Sequence, residues 1–172
     1  NFTLVGTGDV ATSGWAGGFG LMLRRGTGGY YVNGLVARFP RGIFSVRDTA
    51  TYNRGGAVTT PNLATAVLAA KNITMLESPA IVFEAGQQPA WDLAGNTLVS
   101  SASTAATVFT ASPPTFTTST TESTIDWTPT AGSVAASGGL ATFTGLLATA
   151  TATASATGNV VAGTTYVGAA AP

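Results

Sequence analysis

The sequence of 172 residues contains no histidine and no cysteine, and Lys71 is its one lysine. Charged residues make up 8% of the chain, against about 25% in an average domain. The lack of cysteine excludes disulfides, zinc–thiolate sites and iron–sulfur clusters, and the lack of histidine excludes a Ser–His nucleophile. Most enzyme chemistry at neutral pH needs one of these groups, a lysine of lowered pKa or a carboxylate pair. We therefore predict no enzymatic activity and no cofactor.

Long hydrophobic runs are also missing. No stretch reaches the roughly 18 consecutive apolar residues of a transmembrane helix, and no signal peptide is visible. Because the chain opens at Asn1 and stops at Pro172, we expect a processed product or part of a longer precursor. Low charge with abundant glycine, threonine and serine is typical of secreted bacterial proteins. We predict a periplasmic or extracellular location at the cell surface.

The few charges are segregated along the chain. Residues 1–71 hold all seven basic side chains and two acids, a net charge of +5, whereas residues 72–172 hold five acids and no base, a net charge of −5. This pattern fits internal pairing between the two halves. It also fits a basic face that docks an acidic protein partner or an anionic membrane surface. Nucleic acid is not predicted, because no basic cluster is interleaved with aromatic residues.

Residues 1–85 have the pattern of short strands separated by turns. The runs are β-prone, and glycine, proline, asparagine or aspartate follows most of them. The predicted strands are 2–5, 21–23, 30–39 with a break at Asn33-Gly34, 43–46, 73–76 and 81–83. One helix is predicted over residues 61–71, because Thr60 suits an N-cap, Pro61 suits the first helical position and apolar residues recur at helical spacing.

The remaining chain is divided into a loop-rich zone, residues 86–130, and an uncharged small-residue tail, residues 131–172. Within the tail, residues 148–157 alternate alanine or serine with threonine, which is a strand pattern. Small side chains bury little area, so we expect the tail to pack on the core or on a partner.

Several motifs could in principle bind a ligand, catalyse a reaction or accept a modification. The glycines of 6–9 and 26–29 favour turns over a phosphate loop, because neither run matches the Walker pattern. Glu77 and Glu84 flank a short turn and suit a glycosidase pair only if they lie about 5–10 Å apart. Asp9, Asp48 and Asp92 could supply oxygen ligands to calcium, but no calcium-loop motif supports this. Asn1 and Asn72 begin glycosylation acceptor patterns, which are common by chance.

Three segments, residues 1–6, 20–27 and 31–44, resemble the closing rungs of large secreted bacterial right-handed parallel β-helix proteins of the pectin-lyase-like class. Residues 128–133 resemble the turn that follows the last coil in such proteins. The resemblance implies an all-β fold: a short right-handed parallel β-helix with one capping helix and an extended tail. It implies Asn33 at a coil corner, and it carries no catalytic residue. The alternative fold is an antiparallel β-sandwich.

These observations favour a non-catalytic exported structural or docking protein, an extrinsic accessory subunit that binds other subunits of a larger cell-envelope assembly. The predicted contact residues are basic or aromatic; they are Arg24, Arg25, Arg38, Arg41 and Trp127. Two alternatives stay open. A carbohydrate-binding or carbohydrate-cleaving β-helix would use exposed aromatic residues beside two acids, with Trp15, Tyr30, Tyr31 and Trp91 as candidates. A surface adhesin or filament subunit would use the tail.

Overall fold

Short parallel strands dominate the computed structural model, which describes residues 1–6, 18–55, 68–77, 98–100, 103–111, 126–143, 147–149 and 152. The strands are β1 (Phe2–Val5), β2 (Phe19–Leu23), β3 (Gly29–Ala37), β4 (Gly42–Val46), β5 (Leu68–Leu76) and β6 (Leu98–Ser100). The named helices are α1 (Thr49–Arg54), α2 (Ala105–Val108) and α3 (Val134–Ser137). The predicted all-β class is confirmed.

The strands form a four-stranded sheet in the order β1-β3-β5-β6 and a two-stranded sheet of β2 and β4. All four strand pairs are parallel, and residues 2, 34, 73 and 98 lie side by side across the larger sheet. An antiparallel β-sandwich does not fit these sheets. The short turns that suggested hairpins, such as residues 38–41 between β3 and β4, join strands of different sheets.

One hydrophobic cluster, here called the inner cluster, contains side chains from both sheets. Val36 and Met75 of the larger sheet and Ile43 and Phe44 of the smaller one belong to it. The sheets approach closely at Gly20, where an added methyl group would lie 2.7 Å from Val36 Cγ1. Only glycine fits there without displacing a neighbour, so this residue helps to set the distance between the sheets.

The opposite face of the four-stranded sheet is also covered. Because side chains alternate along a strand, Leu35 points away from the inner cluster and joins a second group, here called the outer cluster. The buried members of the outer cluster come from β3, β5 and the chain after residue 103; they are Leu35, Ala37, Leu76, Ala105, Val108, Phe109 and Ala135. The sheet is therefore buried on both faces, and residues 33–37 and 72–76 are buried without interruption.

Burial on two faces explains why the helix prediction over 61–71 was wrong at its C-terminal end. Residues 68–71 belong to strand β5. A strand covered on both sides has no polar alternation and cannot be told from a helix by periodicity alone. Residues 61–67, and the predicted strand 81–83, lie outside the described residues.

Two further elements differ from expectation. Helix α1 was not predicted; Asp48 is its N-cap and accepts a hydrogen bond from the Thr51 backbone N–H. In the tail, the strand prediction is wrong at Ala148, Thr149 and Ala152, which are helical. Small alanine-rich segments also suit helices, so alternation of alanine with threonine is a weak strand signal. The division into 1–85, 86–130 and 131–172 stays a prediction.

Candidate functional site

The Asp48 carboxylate connects the turn after strand β2 to helix α1 through hydrogen bonds. Asp48 accepts hydrogen bonds from the backbone N–H of Arg25 and, at 2.8 Å, from that of Thr51, and the Thr51 hydroxyl donates to it at 3.0 Å. The Gly26 N–H in turn donates to Thr51 Oγ1 at 2.8 Å. These hydrogen bonds, that from Thr51 N–H first, hold the pKa of Asp48 below its usual range.

Docking of this turn on α1 brings three exposed arginines together. Arg24 and Arg25 lie in the turn and Arg54 in the last turn of the helix. A methyl group placed on Gly26 would lie 3.7 Å from Arg54 Nε, so the Arg54 guanidinium lies over the turn. We call Arg24, Arg25 and Arg54 the arginine cluster. Arg54 was missed from the sequence because α1 and its contact with the turn were not predicted.

A second pair of guanidinium groups lies against an aromatic ring. Arg41 Cζ is 5.2 Å and Arg47 Cζ is 5.8 Å from the centroid of the Phe19 ring. Both distances are within cation–π range. Arg47 Nε also donates to Ser45 Oγ at 2.8 Å. Both arginines are exposed, so they present positive charge while their planar groups pack on Phe19.

Arg38 has a different environment from the other predicted contact residues. Its Nε lies 3.3 Å from Glu77 Oε2, and this is the one ion pair among the described residues. Glu77 Oε2 also accepts the Ala105 N–H at 2.9 Å. The pair therefore joins the ends of β3 and β5 to the start of α2, and the Arg38 side chain is only 17% exposed.

Trp127, also predicted as a contact residue, packs within the protein. Its ring meets the Phe109 ring edge to face, with centroids 5.4 Å apart and an interplanar angle of 80°. It is half-buried against the outer cluster. Next to it, Asp126 accepts hydrogen bonds from Thr128 and Thr110, which lower the pKa of this carboxyl. In this structure, Trp127 mainly packs against other side chains.

The residues of the carbohydrate hypothesis are brought together only in part. Tyr30 and Tyr31 are half-buried against the inner cluster, and Tyr31 meets Phe2 edge to face with centroids 6.2 Å apart. The other candidates lie outside the described residues; they are Trp15, Trp91 and Glu84. Within the described part of the chain, no three acidic side chains converge as a metal site would require. Asp9 and Asp92 of the calcium hypothesis are not described.

Two asparagines in neighbouring strands form a further polar site. Asn33 and Asn72 are 2% and 9% exposed, and both have left-handed backbone conformations, with φ of 49° and 56°. Asn72 Nδ2 donates to Asn33 Oδ1 at 2.9 Å. Asn33, which the sequence places at a coil corner, has the left-handed conformation that asparagine tolerates, although strand β3 continues through it.

A later segment of the chain is bound by these two amides. We call residues 126–143 the strap. Asn33 Nδ2 donates to the Leu140 carbonyl at 2.9 Å, and Asn33 Oδ1 accepts the Leu140 N–H at 3.0 Å. Asn72 Nδ2 donates to the Gly138 carbonyl at 2.8 Å. In the folded state Asn72 is therefore occupied and buried, which argues against glycosylation at its acceptor pattern.

Among the described residues, no helix has the length and apolar character needed to cross a bilayer. Comparison with protein-family models, curated proteins and solved structures finds no match for this chain. What the molecule does must therefore be argued from its own geometry.

Proposed function

We propose that the protein is a non-catalytic exported docking protein, an extrinsic accessory subunit held on a larger cell-envelope assembly. The observation that carries this proposal is the arginine cluster. Three exposed arginines lie on one turn and on the helix end that contacts it, and the nearby Asp48 carboxylate is occupied by backbone N–H and hydroxyl donors. Clustered positive charge of this kind favours association with an acidic surface.

We further propose that the scaffold is a short right-handed parallel β-helix. Strands β1 to β5 alternate between the two parallel sheets, as the strands of successive coils would. Left-handed residues also recur at matching positions: Asn33 in β3 with Asn72 in β5, and Arg38 after β3 with Glu77 after β5. The right-handed sense is expected for parallel crossovers. Such a scaffold would hold the arginine cluster rigidly at one end of a coil.

The partner proposed here is an acidic protein surface. Arg24, Arg25 and Arg54 supply the primary contacts, and Arg41 with Arg47 extends the positive charge on the smaller sheet. Arg38 and Trp127 support the proposal less, since an ion pair and ring packing occupy them. Their replacement would disturb folding before it disturbed docking.

Rebinding to stripped membranes tests the proposal. Membranes of the source cell are washed at high salt to release the protein, and the purified chain is added back at several ionic strengths. Exposed charges are screened beyond about 10 Å at 0.1 M salt, so binding should weaken steeply with salt. Replacing Arg24 and Arg25 by glutamine should weaken binding by about threefold to tenfold at low salt.

A matched control distinguishes the effect of losing charge at the arginine cluster from the effect of changing the net charge of the protein. The double variant Ala111→Glu and Ala131→Glu alters two exposed alanines and changes net charge by the same amount as Arg24→Gln with Arg25→Gln. It should bind like the parent chain. Equal binding by all three proteins at low salt would refute the docking surface. Protease treatment of the membranes should abolish binding; binding that survives it would assign the surface to lipid headgroups instead.

The carbohydrate alternative has one supporting observation, the pair Tyr30 and Tyr31 on neighbouring positions of strand β3. Both rings are half-buried against the inner cluster, so they offer little stacking area to a sugar ring. A glycan array read with the parent chain and a Tyr30→Ala variant would test it. Binding that depends on Tyr30 would favour this alternative over docking.

A further inference from the structure

We propose that Asn33 and Asn72 form a binding site for a peptide backbone, which the chain fills with its own residues 138–140. The same site should accept this segment from a separate molecule when the chain's own strap is weakened. The ligand class is a peptide of small residues with the sequence of the strap. This inference does not depend on the arginine cluster.

The site exists because two strands present amides at the same point. Val32 pairs with Lys71 and Gly34 with Ile73, so Asn33 and Asn72 occupy matching positions. Their left-handed backbones interrupt the alternation of side chains in both strands at once. The Asn72–Asn33 hydrogen bond then fixes the two amides relative to each other.

The hydrogen bonds that Asn33 and Asn72 make with the strap are to its backbone. Asn33 binds both the N–H and the C=O of Leu140, and Asn72 binds the C=O of Gly138. Leu140 is 37% exposed, and its side chain takes no part in these hydrogen bonds. A site that pairs with both polar groups of one residue recognises the backbone there whatever the side chain, as in other modes of backbone recognition.

Selectivity for the ligand comes from the strap residues that precede Leu140. Ala135 is buried in the outer cluster and Val134 packs against it. A methyl group on Gly138 would lie 2.5 Å from the Val134 carbonyl oxygen, so this position requires a residue without a side chain. A suitable ligand therefore has a small apolar residue for the outer cluster and a glycine two residues before the one whose N–H and C=O bind Asn33.

Because the Asn33 and Asn72 amides are buried, they require hydrogen-bond partners from a peptide backbone. The two side chains are 2% and 9% exposed, and a buried amide without partners is costly. If the strap no longer supplies one of these backbone groups, a separate peptide that does supply it satisfies the buried amides and is bound. This is the physical reason to expect binding in trans.

The test uses the full chain with Leu140→Pro, which removes the N–H that Asn33 accepts. A labelled synthetic peptide with the sequence of residues 130–143 is titrated into this variant and into the parent. We expect at least tenfold tighter binding to Leu140→Pro, because the parent's site is filled. Adding Asn33→Asp should remove that binding, while Asn53→Asp, at an exposed helix position, should leave it unchanged.

Two peptide controls and a second variant complete the test. A peptide with alanine at position 140 should bind like the original, and one with a methylated nitrogen there should not. Should Leu140→Pro fail to fold, Ser133→Ala serves instead: it removes the α3 cap without touching the amides. Absence of saturable binding to a folded strap variant, or equal binding after Asn33→Asp, would overturn the inference.

Discussion

Two adjacent residues of strand β3 test whether the larger sheet is packed on both faces. Leu35 and Val36 point in opposite directions, yet both are 0% exposed. Leu35 lies in the outer cluster and Val36 in the inner cluster. In a sheet with one solvated face, truncation of one of the two would have little effect. In this structure, both truncations should be destabilising.

The expected magnitudes follow from burial. Leu35→Ala should lower the free energy of unfolding by about 2–5 kcal/mol and Val36→Ala by about 1.5–3 kcal/mol. For a chain of this length, about 3 kcal/mol corresponds to a fall in melting temperature of about 6–12 °C. Leu140→Ala is the matched control, because Leu140 is the exposed large hydrophobic residue among those that the structure describes. It should change stability by no more than about 0.5 kcal/mol.

Thermal unfolding of all three variants is followed by circular dichroism. A urea titration checks that the dependence of the unfolding free energy on urea concentration is unchanged. If Leu35→Ala behaves like Leu140→Ala while Val36→Ala is strongly destabilising, residues 105–109 and Ala135 do not cover the sheet. That result would refute the two-sided packing, and with it the buried environment of the strap.

Three further predictions concern single contacts. Gly34→Ala places a methyl group 2.3 Å from Phe2 Cζ and should cost about 1–3 kcal/mol in urea unfolding; combining it with Phe2→Leu should recover part of the loss. Glu77→Ala removes an ion pair and the acceptor of a helix N–H, so it should cost about 1–3 kcal/mol; unchanged unfolding would contradict the contact. Because hydrogen bonds lower the pKa values of Asp48 and Asp126 below 3.8, their contribution is complete above that pH and is lost as pH falls through the lowered values. Melting temperature should decline in this acid range, and the double Asp→Asn variant should show a shallower decline.

The strands of residues 1–46 could be predicted because apolar runs there are short and turn residues end them. Phe2–Val5 and Gly42–Val46 were predicted to within one residue at each end. Strand β5 was predicted only from residue 73, because Leu68 to Ala70 is a continuous apolar run with no alternation. Such a run becomes recognisable as a strand only when its partner β3 is known.

The candidate site could be predicted less well than the strands. The sequence contained the signal for Asn33, a residue that tolerates left-handed conformations. Its partner Asn72 and the Leu140 backbone are distant in the chain, and no local pattern links them. Likewise, Arg38 and Arg24 look alike in sequence, but among the described residues it is Arg38 that forms an ion pair with an acid. Which arginine is available for docking depends on tertiary contacts that spacing does not reveal.

Native complexes from the source membranes test the central claim most directly. Membranes from cells that carry the parent chain, or Arg24→Gln with Arg25→Gln, are solubilised gently, separated by size, and analysed by mass spectrometry. If the protein is an accessory subunit, the parent chain migrates with other polypeptides in a fixed ratio, and the variant shifts to the position of a free small protein. Free migration of the parent chain would show that it is not a subunit of a membrane assembly.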